Sequence, residues 1–219
     1  MNIKKVAVIG AGLMGSGIAA QIANAGFKVH LLDIPGESRN RNALAEGAVE
    51  KMLRTEPAPF MDKSSAKHIC CGNIEDNIDR IGEVDWVIEA VIERLDVKQE
   101  IYRRIEAFRK PNCIVSSNTS TIRAAELIKE MPQAFKNHFL ITHFFNPPRY
   151  MRLLEIVAPE ETKPEVISSV QEFADIALGK GVVPCKDTPG FIANRIGTYW
   201  IQKATVEALT SNTTVEEAD

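Results

Sequence analysis

Short unbroken apolar runs alternate along this chain with stretches in which apolar residues recur at helical spacing. Residues 6–9 and 27–32 read as strands, the first continuous enough to be buried on both faces, with a helix between them. Residues 34–42, with Pro35 and Gly36, read as a loop. Residues 43–55 are helical through Leu44, Val49, Met52 and Leu53, and Pro57 and Pro59 end that helix. A strand is predicted over 85–91, then a charged amphipathic helix over about 96–109 with Ile101, Tyr102, Ile105 and Phe108 on its inner face. After the break at Pro111 and Asn112, residues 113–117 form a short buried strand and 121–130 the next helix. The rhythm continues with strands over 138–145 and 153–157, a helix over 163–178, and a strand over 182–185 set off by Gly179 and Gly181. Beyond Asp187-Thr188-Pro189-Gly190 the pattern changes: residues 191–209 are one long helix, 210–214 break it, and 215–219 begin a further element.

Alternating strands and helices imply an α/β fold, a Rossmann-type, doubly wound and mostly parallel sheet. The first unit sharpens this. Gly10-Ala11-Gly12-Leu13-Met14-Gly15 follows the first strand directly and opens the helix, and Asp33 stands at the end of the second strand. Gly10 permits the tight turn, Gly12 lets backbone approach a pyrophosphate, and Gly15 lets the helix pack closely on its strand. A carboxylate at Asp33 suits the adenosine ribose hydroxyls and favours NAD over NADP, because a 2′-phosphate there would meet like charge. Arg39 and Arg41, close behind it, temper that preference.

Composition excludes other classes. The chain has 219 residues, 45% hydrophobic and 25% charged, and a formal net charge of −3. That suits a soluble globular protein and leaves no basic footprint for nucleic acid. No apolar run approaches bilayer length and no signal pattern precedes the first strand, so a cytoplasmic protein without membrane insertion is expected. Cys70, Cys71, Cys113 and Cys185 lack metal-ligand spacing and read as reduced thiols, so no metal is expected.

In an open α/β sheet the ligand lies at the carboxyl ends of the strands. Three such ends carry polar residues: Glu93, Ser117 to Ser120, and His143 with Asn146. His30 lies inside a strand, His68 in a polar stretch and His138 at a strand start, which leaves His143 as the histidine at a strand's carboxyl end. A neutral imidazole suits removal of a hydroxyl proton near pH 7. Glu155 interrupts the apolar run Leu153-Leu154-Glu155-Ile156-Val157, and a carboxylate there wants a buried partner. Pairing with His143 would fix the tautomer and stabilise the imidazolium, as against a solvated glutamate on an edge strand.

These residues resemble the L-3-hydroxyacyl-CoA dehydrogenases of fatty acid β-oxidation. The resemblance runs through the glycine unit, Glu89-Ala90-Val91-Ile92-Glu93, Ser117-Asn118-Thr119-Ser120, His143-Phe144-Phe145-Asn146-Pro147, Leu154-Glu155-Ile156-Val157, and Lys186-Asp187-Thr188-Pro189-Gly190-Phe191 to Asn194-Arg195. It implies oxidation of L-3-hydroxyacyl-CoA to 3-ketoacyl-CoA with NAD as hydride acceptor. His143 takes the catalytic histidine's place and Glu155 its partner's. Ser120 matches the serine that binds the substrate hydroxyl, with Ser117 as the alternative, and Asn146 and Asn194 match pocket residues. Gly10, Gly12, Leu13, Met14, Gly15, Asp33, Glu93, Lys98, Ser117 and Asn118 fall to the cofactor. Lys98 by itself reads as a solvated helix charge. Residues 56–60 are proline-rich where the short-chain members carry a lysine-rich hairpin that contacts CoA. The family continues into an all-helical domain with dimer contacts, so the resemblance implies an NAD-binding domain over 1–188 and the first helix of a truncated second domain over 189–219. It also implies a homodimer for the full-length parent and little turnover for this fragment. Two other readings are a related 3-hydroxyacid dehydrogenase, for which a lysine base is typical, and a nucleotide-binding module that keeps the fold without turnover.

Overall fold

A computed structural model describes residues 2–37, 39–211 and 213–218. The predicted loop 34–42 and the stretches 210–214 and 215–219 therefore each contain one position, Ser38, Asn212 and Asp219, outside the described residues.

The strands are β1 (Lys5–Ile9), β2 (Lys28–Asp33), β3 (Ile69–Asn73), β4 (Trp86–Glu89), β5 (Ile114–Ser117), β6 (Phe139–Phe144), β7 (Leu153–Val157) and β8 (Gly181–Cys185). They form one eight-stranded sheet in the order β3-β2-β1-β4-β5-β6-β7-β8. Pairing is parallel except between β6 and β7, which run antiparallel. The order reverses between β1 and β4, where the loops leaving neighbouring strands diverge and open a crevice. The doubly wound, mostly parallel fold expected from the sequence is the one observed.

The helices are α1 (Leu13–Asn24), α2 (Ala43–Met52), α3 (Leu95–Phe108), α4 (Ala124–Leu127), α5 (Gln133–Lys136), α6 (Pro164–Glu172), α7 (Ala193–Thr210) and α8 (Val215–Ala218). Helices α1 to α6 cover the sheet from both sides, so β1 is buried on both faces, whereas α7 and α8 bury none of their described residues. Val6 and Val8 join a core with Ile18, Ile22 and Val166, while Ala7 and Ile9 join another with Ile101, Tyr102 and Phe135. The second core is rich in aromatic contacts, with Tyr102, Phe135 and Phe139 packed at centroid distances of 5.5–5.7 Å.

Three helical expectations are corrected. The helix predicted over 121–130 shrinks to α4, because the residues before it bond to Glu93 and the helix starts only where Asp187 accepts the Ala124 and Ala125 N–H groups. Pro132 then separates α4 from α5. The helix predicted over 163–178 passes at Phe173–Ala177 into a π-helical turn. Phe108, expected on the inner face of α3, is 45% exposed. At that last turn the side chain of Arg109 lies inward instead, its guanidinium 5.5 Å from the centre of the Phe135 ring.

Among the described residues, no helix is long and apolar enough to cross a membrane.

Candidate active site

Two turns at the switch point build one wall. Gly10 has φ +102°, a conformation glycine adopts without strain, and a Cβ there would come 2.5 Å from the Ala90 carbonyl oxygen. A Cβ on Gly15 would stand 1.8 Å from the Gly10 oxygen, so α1 sits on the turn at a distance only glycine allows. At Gly12, by contrast, a Cβ would meet nothing within 4 Å, and α1 begins there without a side-chain cap. Its first N–H groups and positive dipole end are thus free for an anion. Asp33 accepts the Ala11 N–H through Oδ2 and the Ile34 N–H through Oδ1, which fixes its carboxylate beside the turn. These features fit a dinucleotide. Arg41 is held by Asp76, with Nε and Nη2 at 2.7 and 3.1 Å from the two carboxylate oxygens, so its guanidinium is already paired with a carboxylate other than Asp33.

A cavity of about 470 Å³ opens beside this turn. Gly12, Leu13 and Met14 line it from one side, and Glu93, Lys98 and Asn118 from another. His143, Asn146 and Ser120 complete it. The remaining sequence-predicted residues stand elsewhere. Gly10 and Gly15 lie beneath the turn. Ser117 is fully buried and donates to Glu89 Oε2, so of the two serines it is Ser120 that reaches the cavity. Asn194 lines a separate groove with Thr121, Gly190 and Arg195 at the start of α7.

His143 comes from the carboxyl end of β6 and is opposite Glu155 in the antiparallel register with β7. Its Nδ1 lies 2.8 Å from Glu155 Oε2. An ionised carboxylate can only accept, so Nδ1 is the donor of this pair, and in the neutral imidazole Nε2 then keeps its lone pair. Phe145 and Phe191 flank the ring, at centroid distances of 4.4 and 5.6 Å. Glu155 is fully buried in the interior of the sheet, between β6 and β8, and is not a solvated edge residue. Its other oxygen, Oε1, accepts the N–H groups of Ile192 and Ala193 at 3.1 and 2.8 Å, which satisfies the start of α7. Cys185 lies near the same carboxylate, and burial first and Glu155 second raise its thiol pKa to about 11.

Glu93 organises the loop after β5. Its Oε1 accepts from Thr119 Oγ1, Ser120 N, Thr121 N and Thr121 Oγ1, and its Oε2 is 3.3 Å from Lys98 Nζ. Burial pushes the Glu93 carboxyl up, but the hydrogen bonds from Thr119 and Thr121 and the charge of Lys98 outweigh it, leaving a pKa below the ordinary value. Lys98 is 1% exposed and ion-paired with the fully buried Glu89 at 2.7 Å, so it is no solvated helix charge. The loop bearing Ser120 is also tied to the segment before α7, since Gly190 N donates to the Ser120 carbonyl.

Sequence reasoning passed over Glu89, Thr119 and Thr121. Glu89 carried a signal: it is an acid at the end of the buried run Trp86–Glu89, the same anomaly that singled out Glu155. Lys98 carried one too, because it falls on the stripe of Ile101, Tyr102 and Ile105.

Comparison with known proteins shows which family the chain resembles. Residues 5–188 match the family model described as the NAD binding domain of 3-hydroxyacyl-CoA dehydrogenase. A probable 3-hydroxyacyl-CoA dehydrogenase of Deinococcus radiodurans is 49% identical over 205 residues, covering 93% of this chain and 59% of that protein. A probable 3-hydroxyacyl-CoA dehydrogenase of Bacillus subtilis is 44% identical over 233 residues, covering all of this chain and 30% of that protein. The chain thus spans only part of the length of these relatives. Among solved structures, the 3-hydroxybutyryl-CoA dehydrogenase of Escherichia coli superposes with a TM-score of 0.82 at 30% identity, covering 98% of this chain and 44% of the other.

Proposed function

This chain belongs to the 3-hydroxyacyl-CoA dehydrogenase family and carries its NAD-binding domain, and from that premise we propose that it oxidises L-3-hydroxyacyl-CoA to 3-ketoacyl-CoA in fatty acid β-oxidation. The observation that carries the reading is the His143–Glu155 pair at the wall of the cavity that the glycine turn also lines. NAD, when bound, accepts the hydride from the substrate carbon. Gly12 and the first turn of α1 would hold its phosphates and Asp33 the adenosine ribose, with Glu93, Lys98 and Asn118 toward its other end. His143 Nε2 takes the hydroxyl proton, and Glu155 stabilises the imidazolium that results. Ser120 holds the substrate oxygen, and Asn146 the cavity wall beside it. In this reading residues 1–188 form the NAD-binding domain and 189–219 begin the substrate-closing helical domain that Asn194 serves. The same reading proposes a cytoplasmic location and a homodimer.

NADH formation with L-3-hydroxybutyryl-CoA and a medium-chain homologue, using NAD and then NADP, tests this. Turnover that prefers NAD and the CoA thioester supports it. Turnover of the free hydroxy acid in preference to the thioester, or a preference for NADP, overturns it. NADH binding without any turnover fits both the binding-module reading and the little turnover expected of these residues alone.

A further inference from the structure

We propose that Glu89 is a positioning residue for this site: it sets where the Lys98 ammonium stands in the cavity wall and steadies the loop that carries Asn118 and Ser120. The inference rests on the NAD-dependent dehydrogenase reading above, in which Glu89 has no role.

Glu89 ends β4 at the switch point, in register with Ile9 on one side and Ser117 on the other. Its side chain is sealed from solvent, yet both oxygens are fully used. Oε1 accepts from Lys98 Nζ at 2.7 Å and from Val91 N at 2.8 Å, and Oε2 accepts from Tyr102 Oη and Ser117 Oγ, both at 2.7 Å. A buried carboxylate is tolerated only when paired and hydrogen-bonded in this way.

Two arms run from it to the same loop. Along the first, Lys98 Nζ bridges Glu89 and Glu93, and Glu93 Oε1 gathers the donors of residues 119–121. Along the second, Ser117 Oγ donates to Glu89 and accepts from Thr119 N at 3.2 Å. One lysine cation thus stands between two carboxylates. Without the Glu89 charge, Lys98 keeps Glu93, whose side chain is partly exposed, and the Val91 carbonyl oxygen at 3.4 Å, and the ammonium is held less firmly. Tyr102 serves Glu89 from the far side, away from the cavity: its hydroxyl is buried and its ring packs on Phe135 and Phe139.

The test compares NADH affinity, read by fluorescence titration, with thermal stability. Glu89→Gln keeps shape and removes charge; its NADH Kd is expected to rise by about tenfold or more. Tyr102→Phe removes one hydrogen bond to Glu89 without touching Lys98, so it should lose stability while its Kd stays within about twofold of the parent's. If Glu89→Gln loses stability but binds NADH as the unaltered chain does, Glu89 is only structural and the proposal fails. Lys98→Met and the double variant Glu89→Gln/Lys98→Met cover the case in which Glu89→Gln alone does not fold. A Lys98→Met protein that binds NADH as the unaltered chain does overturns the Lys98 arm, and a double variant no weaker than Lys98→Met overturns the Ser117 arm. An unaltered chain that binds no NADH would sink the NAD reading itself, which is a different result from equal binding by parent and variant.

Discussion

His143 Nδ1 and Glu155 Oε2 lie 2.8 Å apart across the antiparallel β6–β7 step, and the other oxygen of the same carboxylate receives the first N–H groups entering α7. One buried acid therefore serves both an imidazole and a helix start, and variants at the two positions should behave differently.

Replacing His143 by Gln removes the base but leaves the glycine turn and Asp33 untouched. Turnover of the acyl-CoA substrate should fall by roughly 10²–10⁴-fold. NADH affinity should stay within about twofold, since the base acts only in the chemical step. Steady-state assays beside a fluorescence titration check this, and loss of NADH binding would refute the assigned role.

Glu155→Gln should cost stability as well as turnover. An amide that keeps Ile192 N and Ala193 N on its oxygen turns its NH2 toward Nδ1, which either leaves a buried donor unpaired, at about 1–3 kcal/mol, or moves the ring proton to Nε2, and it loses the charge-assisted bond in both cases. Urea unfolding of this variant and of His143→Gln should show the larger loss for Glu155→Gln.

The glycines of the turn separate binding from folding. Gly15→Ala drives a methyl group into the Gly10 carbonyl and should destabilise by about 1–3 kcal/mol or more. Gly12→Ala meets nothing within 4 Å and should keep the parent's thermal midpoint while losing NADH affinity. A Gly12→Ala protein that binds NADH normally would show that ligand phosphates do not approach this turn.

Lys180 is buried, and its Nζ donates to the carbonyl oxygens of Pro148 and Met151 on the loop after β6. Burial lowers its pKa from 10.5 to about 8. Between those values the unfolded chain binds more protons than the folded one, so this group's contribution to stability rises with pH over that window. Relative to Lys180→Met, the unaltered chain should gain on the order of 2 kcal/mol between pH 8 and pH 10. Urea unfolding of both proteins at the two pH values measures the difference, and a constant gap would contradict it.

Much of the sheet was legible because strands such as β1 are unbroken apolar runs and its first turn needs glycines at fixed places, whereas β3, with Cys70-Cys71-Gly72-Asn73, is no such run. Glu155 was legible for a related reason: an acid inside Leu153–Val157 has to be paired. The same argument applied to Glu89, an acid inside the strand predicted over 85–91, but there it was noted only as part of a motif and its need for a buried partner was not drawn. Lys98 was misread because a lysine on an amphipathic helix is usually solvated, and only a buried partner nine residues earlier in the chain reverses that. The length of α4 could not be read locally, since Glu93 and Asp187, both distant in sequence, decide where it starts.

The antiparallel step between β6 and β7 acts as a ruler. Residues 143 and 155 are brought face to face by the hydrogen-bond ladder that aligns Ile141 with Val157 and Phe144 with Leu154, and the segment joining the strands takes no part in that alignment. Insertions or deletions in that segment would change the shape of the cavity mouth while leaving the proton-transfer pair in register. If His143 is the base proposed above, the mouth could be remodelled without moving it.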